Sequence, residues 1–262
     1  MPHTNSDGLR IHWREDGRKG GTPVLLIGSL GTDLGMWNAV TALLAPSHHV
    51  IRLDLRGHGA SETPLEPFGV EALARDAVAV LDAACVARAH VCGLSLGALV
   101  ATHLVAHAPE RVASLALCNV AMEFDSRSWQ DRARFVRTSG MKALAEMAIG
   151  RLFSEPFVNA ASPTFETIRS TLADSDAEGY AGCCDAIAEA VLLPTPIDTE
   201  RFPTLVVGGE LDVAAPVETN AARIAETIPG STLVLLRAGH LSAVEMPEPF
   251  ARHLEAHIAR AS

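Results

Sequence analysis

Ser95 lies in Gly93-Leu94-Ser95-Leu96-Gly97, between a short apolar run that reads as a strand and a run that reads as a helix. A serine at such a turn is presented as a nucleophile, and the glycines let two backbones approach where a Cβ would clash. Its hydroxyl is a poor nucleophile at neutral pH, so a base must take its proton and an acid must orient that base. In a sheet of this type both follow the serine, on loops after later strands. Two downstream residues meet that requirement. Asp212 ends Gly208-Gly209-Glu210-Leu211-Asp212, after an apolar run at 204–207, and His240 ends Ala238-Gly239-His240, after a run at 232–236. Glu210 is the rival acid, and Asp54 a more distant one. The charge that develops on an attacked carbonyl oxygen also needs donors, for which the backbone N–H groups of Leu96 and of Leu30, in Gly28-Ser29-Leu30-Gly31, are placed.

The elements that would carry these residues follow from periodicity. Strands are expected at 8–14, 23–27, 49–53, 90–92, 112–117, 204–207 and 232–236, with helices at 37–44, 70–84, after Gly97, at 217–227 and at 247–260. Short apolar strands alternating with amphipathic helices imply a mainly parallel sheet covered on both faces. The rhythm stops after Asn119. Helical patterns at 129–138, 141–153, 165–172 and 179–193 follow, separated by Ser, Pro and Gly, which predicts a helical lid at 121–198 inserted into an α/β core of 1–120 and 199–262.

Composition bounds the rest. A 262-residue chain with 48% hydrophobic residues suffices for one α/β domain with an insertion. A net charge of −10 argues against nucleic acid or an anionic membrane as partner, and requires local positive charge wherever an anionic substrate binds. No leader or spanning segment is apparent, so a cytoplasmic location is expected. The five cysteines contain no C-x-x-C and suggest neither a disulfide framework nor a zinc site; buried apolar packing is their expected role. His103/His107 and His253/His257 have the i, i+4 spacing of a helical metal pair but lack the glutamate of H-E-x-x-H, and a solvated helix face or end is expected for them. His58, in a Gly-rich loop, reads as structural. No metal and no cofactor is called for.

With these residues placed, the chain resembles the α/β-hydrolase superfamily over nearly its full length, and more narrowly the 3-oxoadipate enol-lactonases. The stretches that carry the likeness are residues 29–37, Arg56-Gly57-His58-Gly59-Ala60-Ser61, Leu117-Cys118-Asn119, and Glu178-Gly179-Tyr180-Ala181-Gly182-Cys183-Cys184. The resemblance implies Ser95 as nucleophile, Asp212 as acid, His240 as base and the Leu30 and Leu96 amides as oxyanion donors. It also implies Trp129, Arg132 and Arg137 as substrate-binding residues on the lid. Ala98, Val120 and Leu152 depart from the pattern, where glycine, threonine and tryptophan are expected. The implied activity is opening of a lactone ring through an acyl-enzyme. A carboxylesterase or lactonase for another ester, a carbon–carbon bond hydrolase, and a ligand receptor that keeps the fold are the alternatives, and the partner in each is a small molecule, an ester or lactone for the leading reading.

Overall fold

The computed structural model describes residues 2–261. β1 (His3–Ser6) and β2 (Leu9–Gly17) form an antiparallel hairpin, followed by β3 (Thr22–Ile27), α1 (Asn38–Leu44) and β4 (His48–Leu53). Then α2 (Val70–Ala83), β5 (Ala89–Leu94), α3 (Leu96–His107) and β6 (Val112–Cys118) alternate. Four helices follow in succession: α4 (Ser126–Leu152), α5 (Glu155–Asn159), α6 (Pro163–Ala173) and α7 (Ala177–Ala188). The α/β alternation resumes with β7 (Thr204–Gly209), α8 (Ala221–Thr227), β8 (Thr232–Leu236), α9 (Ser242–Glu245) and α10 (Pro247–Ala261).

The eight strands form one sheet in the order β1-β2-β4-β3-β5-β6-β7-β8, antiparallel at the β1–β2 and β2–β4 pairings and parallel elsewhere. Alternate residues of the buried strands feed two apolar layers. Leu25, Ile27, Val91, Leu115 and Val206 pack with α2 and α3 on one face. Val24, Leu26, Cys92, Ala116 and Val207 pack with residues of α1 and α10 on the other. With both faces covered, every position in these strands can be apolar, which is why they read as continuous runs. Strand order reverses between β3 and β5, and in open parallel sheets the crevice outside the carboxyl ends at such a reversal is where ligands bind.

Several boundaries differ from expectation. β1 was not expected, because its sequence His-Thr-Asn-Ser has no strand pattern and forms only by pairing with β2. α4 runs through both expected helices, with a kink at Gly140 (φ 79°) where the division was placed. α7 stops at Ala188 instead of 193, ahead of Pro194 and Pro196. α8 starts four residues later than 217 because Asn220 turns back to bond the Pro216 carbonyl through Nδ2. The histidine pairs are split rather than solvated: His107 and His253 are exposed, while His103 and His257 are buried. Four cysteines are buried as expected and Cys85 is exposed. Among the described residues no helix is long and apolar enough to cross a membrane.

Candidate active site

Four adjacent parallel strands deliver four polar residues to one edge of the sheet. Ser95 follows β5, Asn119 follows β6, Asp212 lies beyond β7 and His240 beyond β8. Ser95 has φ 56° and ψ −114°, a strained backbone for a residue with a Cβ. The turn is possible because its neighbours are glycines: a Cβ on Gly93 would lie 2.1 Å from the Gly97 carbonyl oxygen, and one on Gly97 would lie 2.1 Å from that of Ile27. The strand end, the turn and the start of α3 are thus packed backbone to backbone.

His240 Nε2 lies 2.9 Å from Ser95 Oγ, and His240 Nδ1 lies 2.8 Å from Asp212 Oδ2. Both Asp212 oxygens are occupied: Oδ1 accepts the N–H groups of Ala214 (2.8 Å) and Ala215 (2.9 Å), and Oδ2 also accepts Asn119 Nδ2 at 3.1 Å. Burial alone would raise the Asp212 carboxyl, but the His240 imidazole and these hydrogen bonds outweigh it and hold the pKa below the usual value. The carboxylate is therefore kept charged beside the histidine. Of its rivals, Glu210 is exposed. Asp54 is buried elsewhere, accepting the N–H groups of Leu34 and Ala60 and bonding His12 Nδ1 at 2.7 Å.

The loop after β3 stands beside Ser95 because Ile27 pairs in register with Gly93. Three of its amides are taken: Ser29 N–H by the Met36 sulfur, Gly31 N–H by His58 Nε2 at 2.9 Å, and Thr32 N–H by the Ser29 carbonyl. Among the amides from Ser29 to Thr32, that of Leu30 is left over, and its residue lines the pocket beside Ser95. Leu96, directly after Ser95, opens α3, where the first N–H groups have no carbonyl one turn back. His58 has the structural role expected of it. Burial lowers its pKa, so the neutral ring donates from Nδ1 to the Arg56 carbonyl and accepts the Gly31 N–H.

Above Ser95 is a partly open cavity of about 90 Å³ lined by Ser29, Leu30, His240, Ala214 and Ala215 from the sheet edge, and by Trp129, Arg132, Ala148, Arg151, Leu172 and Tyr180 from the helices between β6 and β7. A larger hollow of about 640 Å³, bordered by Asp33, Thr63, Glu166 and Asp174, contains none of Ser95, Asp212 or His240 and offers no nucleophile with a base. In the smaller cavity Arg132 stacks over the Trp129 ring at 4.9 Å and donates to Tyr180 Oη at 3.4 Å. No Asp or Glu lines that cavity.

Arg137 corrects an expectation. It points away from the cavity, bonded to Glu178 at 3.0 Å and Asp185 at 2.8 Å, because five residues at about 100° each turn it roughly 140° around the helix from Arg132. Arg151 was missed. Its signal was available, since Ala148, Arg151 and Leu152 have the i, i+3, i+4 spacing of one helix face.

The remaining contacts brace the histidine loop. Glu245 Oε1 accepts the N–H groups of Ser154 (2.8 Å) and Gly239 (3.1 Å), and Leu241 N–H bonds the Leu152 carbonyl at 3.0 Å. The end of α4 is therefore fastened to the loop that carries His240.

Residues 22–247 match the family described as alpha/beta hydrolase fold. The chain is 37% identical over 233 residues to 3-oxoadipate enol-lactonase 2 of Acinetobacter baylyi, covering 88% of this chain and 86% of the relative. The crystal structure of the enol-lactonase from Burkholderia xenovorans LB400 superposes with a TM-score of 0.92 at 35% identity, over 98% of this chain and all of that one. A malate-bound thermophilic esterase from Thermogutta terrifontis superposes with a TM-score of 0.88 at 28% identity, over 99% of this chain and 97% of the other.

Proposed function

The chain belongs to the alpha/beta hydrolase family, and we propose that within it the chain opens an enol-lactone ring by acyl-enzyme chemistry, 3-oxoadipate enol-lactone being the substrate. Ser95 Oγ attacks the ring carbonyl as His240 Nε2 takes its proton, and Asp212 stabilises the imidazolium that forms. The Leu30 and Leu96 amides receive the oxyanion, a contribution of about 3 kcal/mol per donor in a dry site. Collapse breaks the ring C–O bond and expels an enolate, which takes the proton held on His240 Nε2 and becomes a ketone, leaving the imidazole neutral. His240 then deprotonates a water that hydrolyses the acyl-enzyme. An enolate leaves more readily than an alkoxide, so this constellation is sufficient without further acid.

The observation that carries the substrate class is the pocket. It pairs a serine in contact with its base with a small cavity that holds two arginines and no carboxylate, in a protein of net charge −10. A buried carboxylate without a partner costs several kcal/mol, and Arg132 and Arg151 supply that partner for an anionic lactone. Residues 121–198 act as the lid in this reading, closing the pocket over the ring. Carboxylester hydrolysis of another small substrate is the competing activity, since the same residues serve acyl transfer generally.

Following the loss of enol-lactone absorbance with purified protein, beside p-nitrophenyl acetate and butyrate, tests the reading. We expect the lactone to give the highest kcat/KM and Ser95→Ala to abolish all three activities while the protein stays folded. Preference for the neutral esters would overturn the lactone assignment, and Ser95→Ala activity within tenfold of wild type would overturn the serine mechanism.

A further inference from the structure

Asn119 is a buried side chain at the crossing of three loops, and its hydrogen bonds run to the acid and to the loop of the base. Its Nδ2 donates to Asp212 Oδ2 at 3.1 Å and to the Gly239 carbonyl, the residue before His240, at 3.2 Å. Its Oδ1 accepts the hydroxyl of Ser242, two residues after His240 and fully buried. The Asp212 carboxylate and the Gly239 carbonyl can only accept, so they fix which way the amide faces, and the Ser242 hydroxyl holds its other end. The backbone of Asn119 is held as well: its N–H bonds the Val207 carbonyl of β7 at 2.8 Å, and its φ of 46° lies in the left-handed region that Asn tolerates better than most residues. Because β6 lies between β5 and β7, a side chain leaving its carboxyl end has the loops of β7 and β8 within reach.

We propose that Asn119 is a positioning residue for catalysis, with Ser242 bracing its amide oxygen, so that one donor clamps the Asp212 carboxylate and the His240 loop in mutual register. It touches no substrate and acts through Asp212 and His240. The inference rests on the reading of Ser95, His240 and Asp212 as the reacting set and is independent of whether the substrate is a lactone or an ester. Asp212, His240 and, through its bonds to Gly239 and Ser154, Glu245 are the ionisable groups arranged around it. The buried Cys118 thiol next to it in sequence has its pKa pushed up by burial and stays neutral.

Three variants test it on a small p-nitrophenyl ester, with Ser95→Ala as the control for the reacting set. Asn119→Ala is expected to lower kcat at least ~30-fold at pH 7 with KM within about threefold, a split that follows from disturbing only the reacting groups. Ser242→Ala keeps Asn119 but removes the brace on its Oδ1, loosening the clamp, and should lower kcat about fivefold. Asn119→Asp keeps the shape and replaces the donor by a carboxyl facing Asp212. Two carboxyls at this distance cannot both ionise readily, so the pair retains a proton that does the work of the amide at low pH and loses it as pH rises. The kcat ratio of Asn119→Asp to wild type should therefore fall at least ~tenfold between pH 6 and pH 9, with melting temperatures measured at both ends to separate this from unfolding. A pH-independent ratio, or Asn119→Ala kcat within threefold of wild type, overturns the proposal while leaving the serine mechanism standing. If Asn119→Ala does not fold, Ser242→Ala and the Asn119→Asp pH profile decide. Residual activity in Ser95→Ala would instead overturn the reading beneath it.

Discussion

Several arginines in this chain are held by its own carboxylates, whereas two line the cavity. Arg52 is bonded to Asp16, Arg56 to Asp76 through two contacts of 2.7 Å, and Arg137 to Glu178 and Asp185. Among the described residues Arg132 has no carboxylate partner; its contacts are the Trp129 ring and the Tyr180 hydroxyl. Arg151 has none either and lies at the exposed rim. A guanidinium stacked on an aromatic ring is preorganised, so it loses little freedom when it forks onto a carboxylate. Replacing Arg132 by alanine should lower kcat/KM for the anionic lactone by ~30-fold, about 2 kcal/mol, and change a neutral ester less than threefold. Arg151→Gln should cost about fivefold, since an exposed charge is screened by water and salt. Arg137→Ala should alter neither substrate. Equal losses on both substrates for Arg132→Ala would make that residue part of the packing of Trp129 and Tyr180 rather than an anion site.

Elements position these side chains through backbone contacts that tolerate little change. Gly57, in the loop after β4, and Gly179, in the first turn of α7, touch directly: a Cβ on Gly179 would lie 2.2 Å from the Gly57 carbonyl oxygen. That contact explains physically why both stretches stand out in the sequence. It seats Tyr180 in the cavity beside the His58 that holds the Leu30 loop. Gly179→Ala must push α7 away from the sheet, an overpacking cost of ~1–3 kcal/mol, or roughly 3–10 °C in melting temperature, with kcat/KM reduced as the Leu30 loop shifts. Gly182→Ala is the control, because its Cβ would meet only the Phe68 ring, a side chain that can give. Unchanged melting temperature in Gly179→Ala would show that the two backbones separate at no cost.

Ser95, Asp212 and His240 were legible before the structure because each closes a loop after an apolar run, and chain order alone separates acid from base. Asn119, Glu245 and the brace between α4 and the histidine loop were not. The bonds Ser154–Glu245, Asn119–Asp212 and Asn119–Ser242 join residues 91 to 123 positions apart, and nothing local in the sequence records that β6 lies between β5 and β7. The choice between Arg132 and Arg137 was open to a count of helix angle, whereas β1 was outside the reach of any local pattern.

For the molecule as a whole, buried histidines that folding keeps neutral make stability fall in acid. His90 and His257 are buried, and burial lowers each to about 4; His48 and Arg88 add to the effect on His90, as His90 and Arg260 do on His257. His90 Nδ1 bonds Ser114 Oγ at 2.8 Å, while His257 Nε2 has no partner among the described residues. Because the folded pKa lies below the unfolded value near 6.5, the unfolded chain takes up protons first. Their contribution is complete above pH 6.5 and is lost as pH falls toward 4. At pH 5 the loss is about 2 kcal/mol for each, or roughly 10 °C in melting temperature for the pair in a chain of this size. His58 and His103, also lowered by burial, act in the same direction. Asp33 and Asp76, raised by burial, act oppositely, gaining stability as pH falls through their folded values. Asp212, held low, loses its contribution only below the ordinary carboxylate range. All of these are common to wild type and to His257→Leu, so they cancel in the comparison. His257→Leu removes one titrating ring and one unpartnered buried nitrogen, and its fall in melting temperature between pH 7.5 and pH 5 should be smaller than that of wild type by roughly 5 °C. Parallel curves for the two proteins would place the acid sensitivity elsewhere in the chain.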